Sequence, residues 1–475
     1  MLTLEQAVTI QILHQQGQSI KAISRELGIY TISMFCVKLK SMLFNFNISR
    51  LDQRLVKRYN NLVQFNMNPL ASLAPAIKDI ASAQKNSFAT TQAVWRFLNN
   101  DKISFKQLNE PIQQLACDQI KTSLHRYALV IHDWSQIQYV THRNKTQKLQ
   151  RTHQYDSGYE LQTSLLVDAA SGLPVAPLAQ TLSSASGCYS TFNEQQTERK
   201  THLDSLSEQI QKVEQFPLEK TCVHIIDREG DSIAHLRELS SHGFQWLIRA
   251  KEGNRIEHQG EICKVGEVAE RIEIQQVKPI SYKGNQHMLY VGETNVRLTR
   301  AAKSNKKDSL GQRVAPQKGA AIEARLIIAV VKDINDKTVA RWSLISNVPT
   351  EITAVELTTW YYWRWSIECY FKLLKQAGHD IESWLQTTPE AILRRLLISC
   401  MACVLTWRVQ RCTDEQNQKV RAFLTRLSGR QQKRGKIESA PAILAGLSIL
   451  LNTLQLLSEY SIDELNEIAT IALGT

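Results

Sequence analysis

The chain has 475 residues, 43% of them hydrophobic and 21% charged, with 19 Gly and 11 Pro. That rules out a lone small module and the collagen-like and disordered classes, and leaves volume for several domains around a sizeable core. Set against 45 acidic residues, 57 basic ones give a formal net charge of +12, which suits a polyanionic partner such as nucleic acid unless it serves solubility alone. Nine cysteines, odd in number and irregular in spacing, point to reduced thiols and a cytoplasmic setting. Cys400 and Cys403 lie in the apolar run 396–407, which reads as helix core rather than a metal or redox site. MLTLEQ has no basic stretch before an apolar run, so no signal peptide is expected, and no apolar run approaches the roughly 20 residues needed to cross a bilayer.

In chain order, residues 3–28 read as two short helices joined at Gly17, with Thr3 and Ser19 as N-caps and Gly28 as a stop. They resemble the first half of a helix-turn-helix. The segment after Gly28 departs from that motif, because Tyr30 to Val37 carries no charge to offer to base edges. A helical region extends to about residue 120. Strands follow at 127–133 and 159–167, with a third after the turn at 170–177, then a helix at 203–213 and a strand at 222–227. Short alternating runs from 244 to 346 predict a β-rich insertion. Within it the basic stretches 303–307 and 311–319 read as loop. Helical spacing returns from Thr353 to Gly378 and again at 391–410 and 440–457, with a basic loop at 426–436. The expected division is 1–120, 121–384 and 385–475.

Asp133 closes the run YALVIH and Asp227 closes CVHII, so each carboxylate is expected at a strand's C-terminal end, where functional groups of α/β sheets gather. Either could equally be a turn-former. Tyr361, Arg364, Glu368, Lys372 and Lys375 stand at offsets of 0, 3, 7, 11 and 14, one stripe if the segment is a single α-helix. An ordinary solvated ion-pair face would show the same spacing.

Here the chain resembles the bacterial cut-and-paste DNA transposases of the insertion-sequence-four group, including the transposon-five type. Their signature Tyr-x2-Arg-x3-Glu-x6-Lys is matched by Tyr361, Arg364, Glu368 and Lys375, their second-aspartate motif by DREGD at 227–231, and their first by HDWS at 132–135. The resemblance runs from about residue 95 to 411. It implies a ribonuclease-H-like mixed α/β core with a β-rich insertion, flanked by helical N- and C-terminal regions. It also implies a triad of Asp133, Asp227 and Glu368 holding two Mg2+ ions, for which Mn2+ would substitute. Three carboxylates supply hard oxygen donors, and paired ions can hold both the attacking and the departing oxygen of a phosphodiester.

By the same resemblance the reaction is cleavage at inverted-repeat ends through hairpins, then strand transfer into target DNA. Tyr361, Arg364, Lys372 and Lys375 become phosphate clamps. Trp342 becomes a base-stacking platform, with strand packing as its alternative, and Arg249 and Lys251 become DNA contacts near the cut, with a solvated strand edge as theirs. The partners expected are double-stranded DNA and a second copy of the chain, joined through helices from about residue 385, and no membrane. The location expected is the cytoplasm, on the nucleoid when DNA is bound. The rival readings are a catalytically inactive DNA-binding copy that represses transposition and a two-metal nuclease without strand transfer.

Overall fold

In the computed structural model, residues 46–67, 87–150, 153, 156–193, 195–303, 315–412, 414–431 and 437–473 are described. The helix-turn-helix reading at 3–28 and the uncharged segment after it lie outside these residues, as do parts of the basic loops at 303–319 and 426–436.

Among the described residues three helices come first: α1 (Gln53–Asn66), α2 (Ser87–Leu98) and α3 (Phe105–Lys121). The chain then lays down β1 (Tyr127–Gln138), β2 (Leu149–Gln150), β3 (Ser157–Asp168), β4 (Pro174–Ser184) and β5 (Gly187–Ser190). Helix α4 (His202–Val213) leads to β6 (Thr221–Ile226), and α5 (Ile233–Ser241) leads to β7 (Gln245–Arg249). Thr201 caps α4 by accepting from the Asp204 N–H, and Leu206, Ile210 and Val213 form its buried stripe, the pattern of a helix packed on one side.

Two pairing modes divide this sheet. β1 runs antiparallel to β3 and parallel to β6, and β6 runs parallel to β7. The order β4-β3-β1-β6-β7 therefore combines an antiparallel meander with parallel strands reached through helical crossovers. This mixed α/β arrangement is the ribonuclease-H-like core expected from the sequence.

The β-rich segment follows: β8 (Arg255–His258), β9 (Glu261–Lys264), α6 (Val265–Arg271), β10 (Gln275–Tyr282), β11 (Asn285–Leu298), β12 (Ile322–Lys332) and β13 (Thr338–Ser346). It differs from the sequence reading at its start. The strand at 245–249 is the last parallel strand of the core, and β13 pairs antiparallel to it. The insertion therefore extends the core sheet instead of forming a separate one. Trp246, Ile248, Leu326, Ile328 and Ile345 share one apolar core across that seam.

Next come α7 (Ala354–Tyr362), α8 (Trp365–Leu374), α9 (Pro389–Arg411), α10 (Glu415–Leu427), α11 (Ala440–Glu459) and α12 (Ile462–Leu473). The chain groups into two compact units. One holds Ile112–Val140 and Gln147–Phe371, and the other holds the described residues up to Pro111, Thr141–Thr146 and those from Lys372 onward. Helices that precede and follow the core in sequence thus share the second unit. Its centre is α9, buried along most of its length and packed on α1, α2 and α11. Arg394 of α9 donates to the carbonyls of Leu98 and Ile103. Cys400 and Cys403 are fully buried in α9, as the apolar run indicated. All eight described cysteines are free thiols. Among the described residues no helix is long and apolar enough to cross a membrane.

Candidate active site

Parallel pairing of β1 with β6 sets the first two carboxylates side by side. The register ends with Ile131 opposite Ile225, so two residues further along Asp133 and Asp227 leave the pair together. Asp133 does not end its strand, as the sequence suggested. β1 continues to Gln138, held by β3 alone, because its antiparallel partner is longer than its parallel one. Asp227 does leave its strand, opening a short turn at Arg228–Gly230.

The third carboxylate comes from a broken helix. The stripe expected on one continuous helix is not present, because α7 ends at Tyr362 and α8 begins at Trp365. Tight bonds from Arg364 N to Tyr361 O at 3.0 Å and from Ser366 N to Trp363 O at 2.9 Å form the turn between them. Tyr361 is therefore in the last turn of α7, Arg364 in the break and Glu368 in the first turn of α8, while Lys375 lies beyond the end of α8.

The break aims Arg364 into the acidic group. Its guanidinium lies 2.8 Å from Asp133 Oδ2, 3.0 Å from Glu368 Oε1 and 3.9 Å from Asp227 Oδ2. Tyr361 donates its hydroxyl to Asp227 Oδ1 at 3.0 Å, and Arg249 reaches the same oxygen at 4.0 Å. Burial pushes the Asp133 carboxyl above its ordinary pKa, against the lowering effect of Arg364 and of the Trp134 N–H. Burial also raises the Tyr361 phenol, helped by the charge of Asp227. For Arg364 burial opposes the charge, but Tyr361 and the three carboxylates outweigh it and hold the pKa above the ordinary value.

Residues 124–405 match the family model for the transposase DDE domain. The chain belongs to the DDE-domain transposases. A comparison with curated proteins returns no match. Family membership makes the chain a nuclease-type enzyme acting on DNA and implies dependence on divalent metal. Among the described residues of this transposase, no three His, Cys, Asp or Glu side chains stand as they would around a metal ion; at the three carboxylates the Arg364 guanidinium lies between them instead. The donor set still suits such an ion, since Asp133, Asp227 and Glu368 converge and offer hard carboxylate oxygens.

The other residues singled out in the transposase sequence divide in two. Trp342, on β13, is half-buried in an aromatic group with Tyr282, Tyr361 and Tyr362, at ring separations of 5.9 to 6.2 Å. Arg249 ends β7 beside Asp227, and the Lys251 side chain is exposed just after it. Lys372 and Lys375 belong to the other compact unit, where Lys375 pairs with Glu382 at 3.4 Å.

Two features escaped the sequence reading. A cavity of about 340 Å3 joins Asp133 and Asp227 to Trp134, Glu160, His202 and Glu229. In it His202 stacks on Trp134 with ring centroids 4.7 Å apart and bridges Glu160 and Glu229. The second feature is Asp231 of DREGD, fully buried and ion-paired to Arg300. It accepts from the Lys251 N–H at 2.6 Å and from Asn254 Nδ2 at 2.8 Å, tying the loop after β7 to the turn that carries Asp227. Its only sequence signal is a second aspartate four residues after the first. His132, beside Asp133, is buried and hydrogen-bonded to Ser164 and His224, both at 2.9 Å, a packing role.

Proposed function

We propose that this transposase acts on the inverted-repeat ends of an insertion sequence, as the insertion-sequence-four group and its transposon-five type do, cleaving them through hairpins and joining them to target DNA. The observation that carries the reading is the gathering of Asp133, Asp227 and Glu368, from two neighbouring strands and a broken helix, within ion-pair distance of one guanidinium. Residues so far apart in sequence are not collected this way for a solvated ion-pair face.

These carboxylates would hold two Mg2+ ions, or Mn2+ in their place. Bound there, the ions supply charge neutralisation at the attacking and leaving oxygens of a phosphodiester. The chain's own groups position the DNA. Tyr361 fixes Asp227 through its hydroxyl. Arg364, Arg249 and Lys251 supply positive charge beside the carboxylates, and Lys372 and Lys375, in the other unit, would each meet a backbone phosphate. Trp342, its ring among tyrosines, gives a flat face on which an unstacked base can rest while the hairpin bend forms.

The assembly would be a homodimer on double-stranded DNA joined through the C-terminal helices from about residue 385, where Ile468 and Ile471 of α12 are 50% and 73% exposed. End binding would lie in residues 1–120 and chemistry in 121–384, and the protein would work in the cytoplasm on the nucleoid. The test is linear DNA carrying the inverted repeats that flank the reading frame, incubated with purified protein and Mg2+. Hairpinned ends are expected, and Asp227→Ala should abolish them while end binding persists. Binding without any cleavage would favour the repressor reading, and open nicks without hairpins a plain nuclease.

A further inference from the structure

Arg364 is 14% exposed at its side chain, and three carboxylates close around it. Arg364 is the cation that meets all three negative charges, with Arg249 4.0 Å from Asp227 alone, in a partly buried setting where like charges repel strongly and a lone buried charge is costly. The guanidinium relieves that repulsion. It also stands among the oxygens that a divalent ion would need, and two cations there would repel one another.

The attachment of the side chain permits its removal. All contacts to the carboxylates come from Nη1 and Nη2, at the far end of a long flexible stem, while the backbone N–H is fixed to Tyr361 O at 3.0 Å. Swinging the stem away breaks ion pairs and leaves the turn between α7 and α8 in place.

We infer that Arg364 is an internal counter-ion for Asp133, Asp227 and Glu368, which a divalent cation must displace in order to bind. This rests on the reading of those three residues as metal ligands. Metal affinity and the Arg364 contacts are then linked, so whatever draws the guanidinium off tightens metal binding by the same factor.

The test is binding of Mn2+ alone to the full chain without DNA, read from the paramagnetic resonance signal of the free ion, with unfolding temperature as a second readout. Arg364→Gln should bind Mn2+ roughly tenfold more tightly than the wild type, a gain of about 1.4 kcal/mol. It should melt at lower temperature in chelator and recover when Mn2+ is added. Equal or weaker Mn2+ binding by Arg364→Gln, with Asp227→Asn weakening it in both backgrounds, would overturn the inference and leave the metal site standing. Mn2+ binding indifferent to Asp227→Asn would overturn the metal-ligand reading itself. If Arg364→Gln does not fold, Arg364→Lys takes its place. Its ammonium lacks the fork that spans several carboxylates, so an affinity above the wild type is expected and an unchanged one counts against the inference.

Discussion

Asp231 shows how much one buried carboxylate can organise. Its oxygens receive the Lys251 N–H, the Asn254 amide and the Arg300 guanidinium, so three stretches of chain depend on one side chain. Removing one partner of a buried ion pair leaves the other charge uncompensated, which costs about 3–5 kcal/mol. Asp231→Ala is expected to lose stability of that order in urea unfolding, and Asp231→Asn less, since its amide oxygen still accepts from Lys251. Because Asp231 also anchors the turn of Asp227, cleavage by Asp231→Asn should be slower than its stability alone accounts for. The acid was visible in DREGD, but its use was not. Arg300 lies 69 residues away in sequence, and only the closed sheet brings the two together.

Among the elements, the break between α7 and α8 matters most. Gly172, in the turn between β3 and β4, has φ +71°, and a Cβ added there would meet the Trp363 ring at 2.4 Å. Ser366 also donates to the Gly172 carbonyl at 3.3 Å. The tight turn that aims Arg364 and Glu368 thus rests on a position where only glycine fits. Gly172→Ala combines a left-handed backbone with a ring clash, and strain of this kind costs on the order of 1–3 kcal/mol. The expected outcome is a lower urea midpoint together with impaired cleavage, since the Trp363 ring displaced by the new methyl belongs to the residue before Arg364 in the same tight turn.

Hydrophobic spacing alone could not show this break. WYYWRWS has no Pro or Gly, the usual marks of interruption, and the turn against which the break packs is remote in sequence. The strands were more legible. β3 and β6 follow their apolar runs, whereas β1 runs on past Asp133 to Gln138 and β4 starts at Pro174, inside the stretch read as a turn. β7 was assigned to the insertion because sequence pattern gives strand identity and not strand partners. Asp133, Asp227 and Glu368 follow from motif order; the register of β1 on β6 brings the two aspartates together and the helix break brings Glu368 to them.

For the molecule as a whole, the proposed function makes net charge the quantity that governs encounter with DNA. A formal +12, with Arg249, Lys251 and Lys372 near or following the carboxylates in sequence, predicts that affinity for duplex DNA falls linearly on a logarithmic scale with salt, at a slope of about −0.9 for each phosphate neutralised. Filter binding across a salt series checks this. Lys251→Ala should reduce the slope by about one if that ammonium meets a phosphate. A salt-insensitive complex would remove the electrostatic footprint. The division into units could not be read along the chain, because the helices of the second unit come from its two ends.

The pairing of β13 with β7 also has a consequence during protein synthesis. As the chain leaves the ribosome, β1, β6 and β7 emerge early, but β7 gains its antiparallel neighbour only once residue 346 has been made, and Glu368 follows later still. On the proposed assignment, a nascent chain stalled or truncated before that point carries two acids and no third. An interrupted translation product is then unable to nick the genome that encodes it.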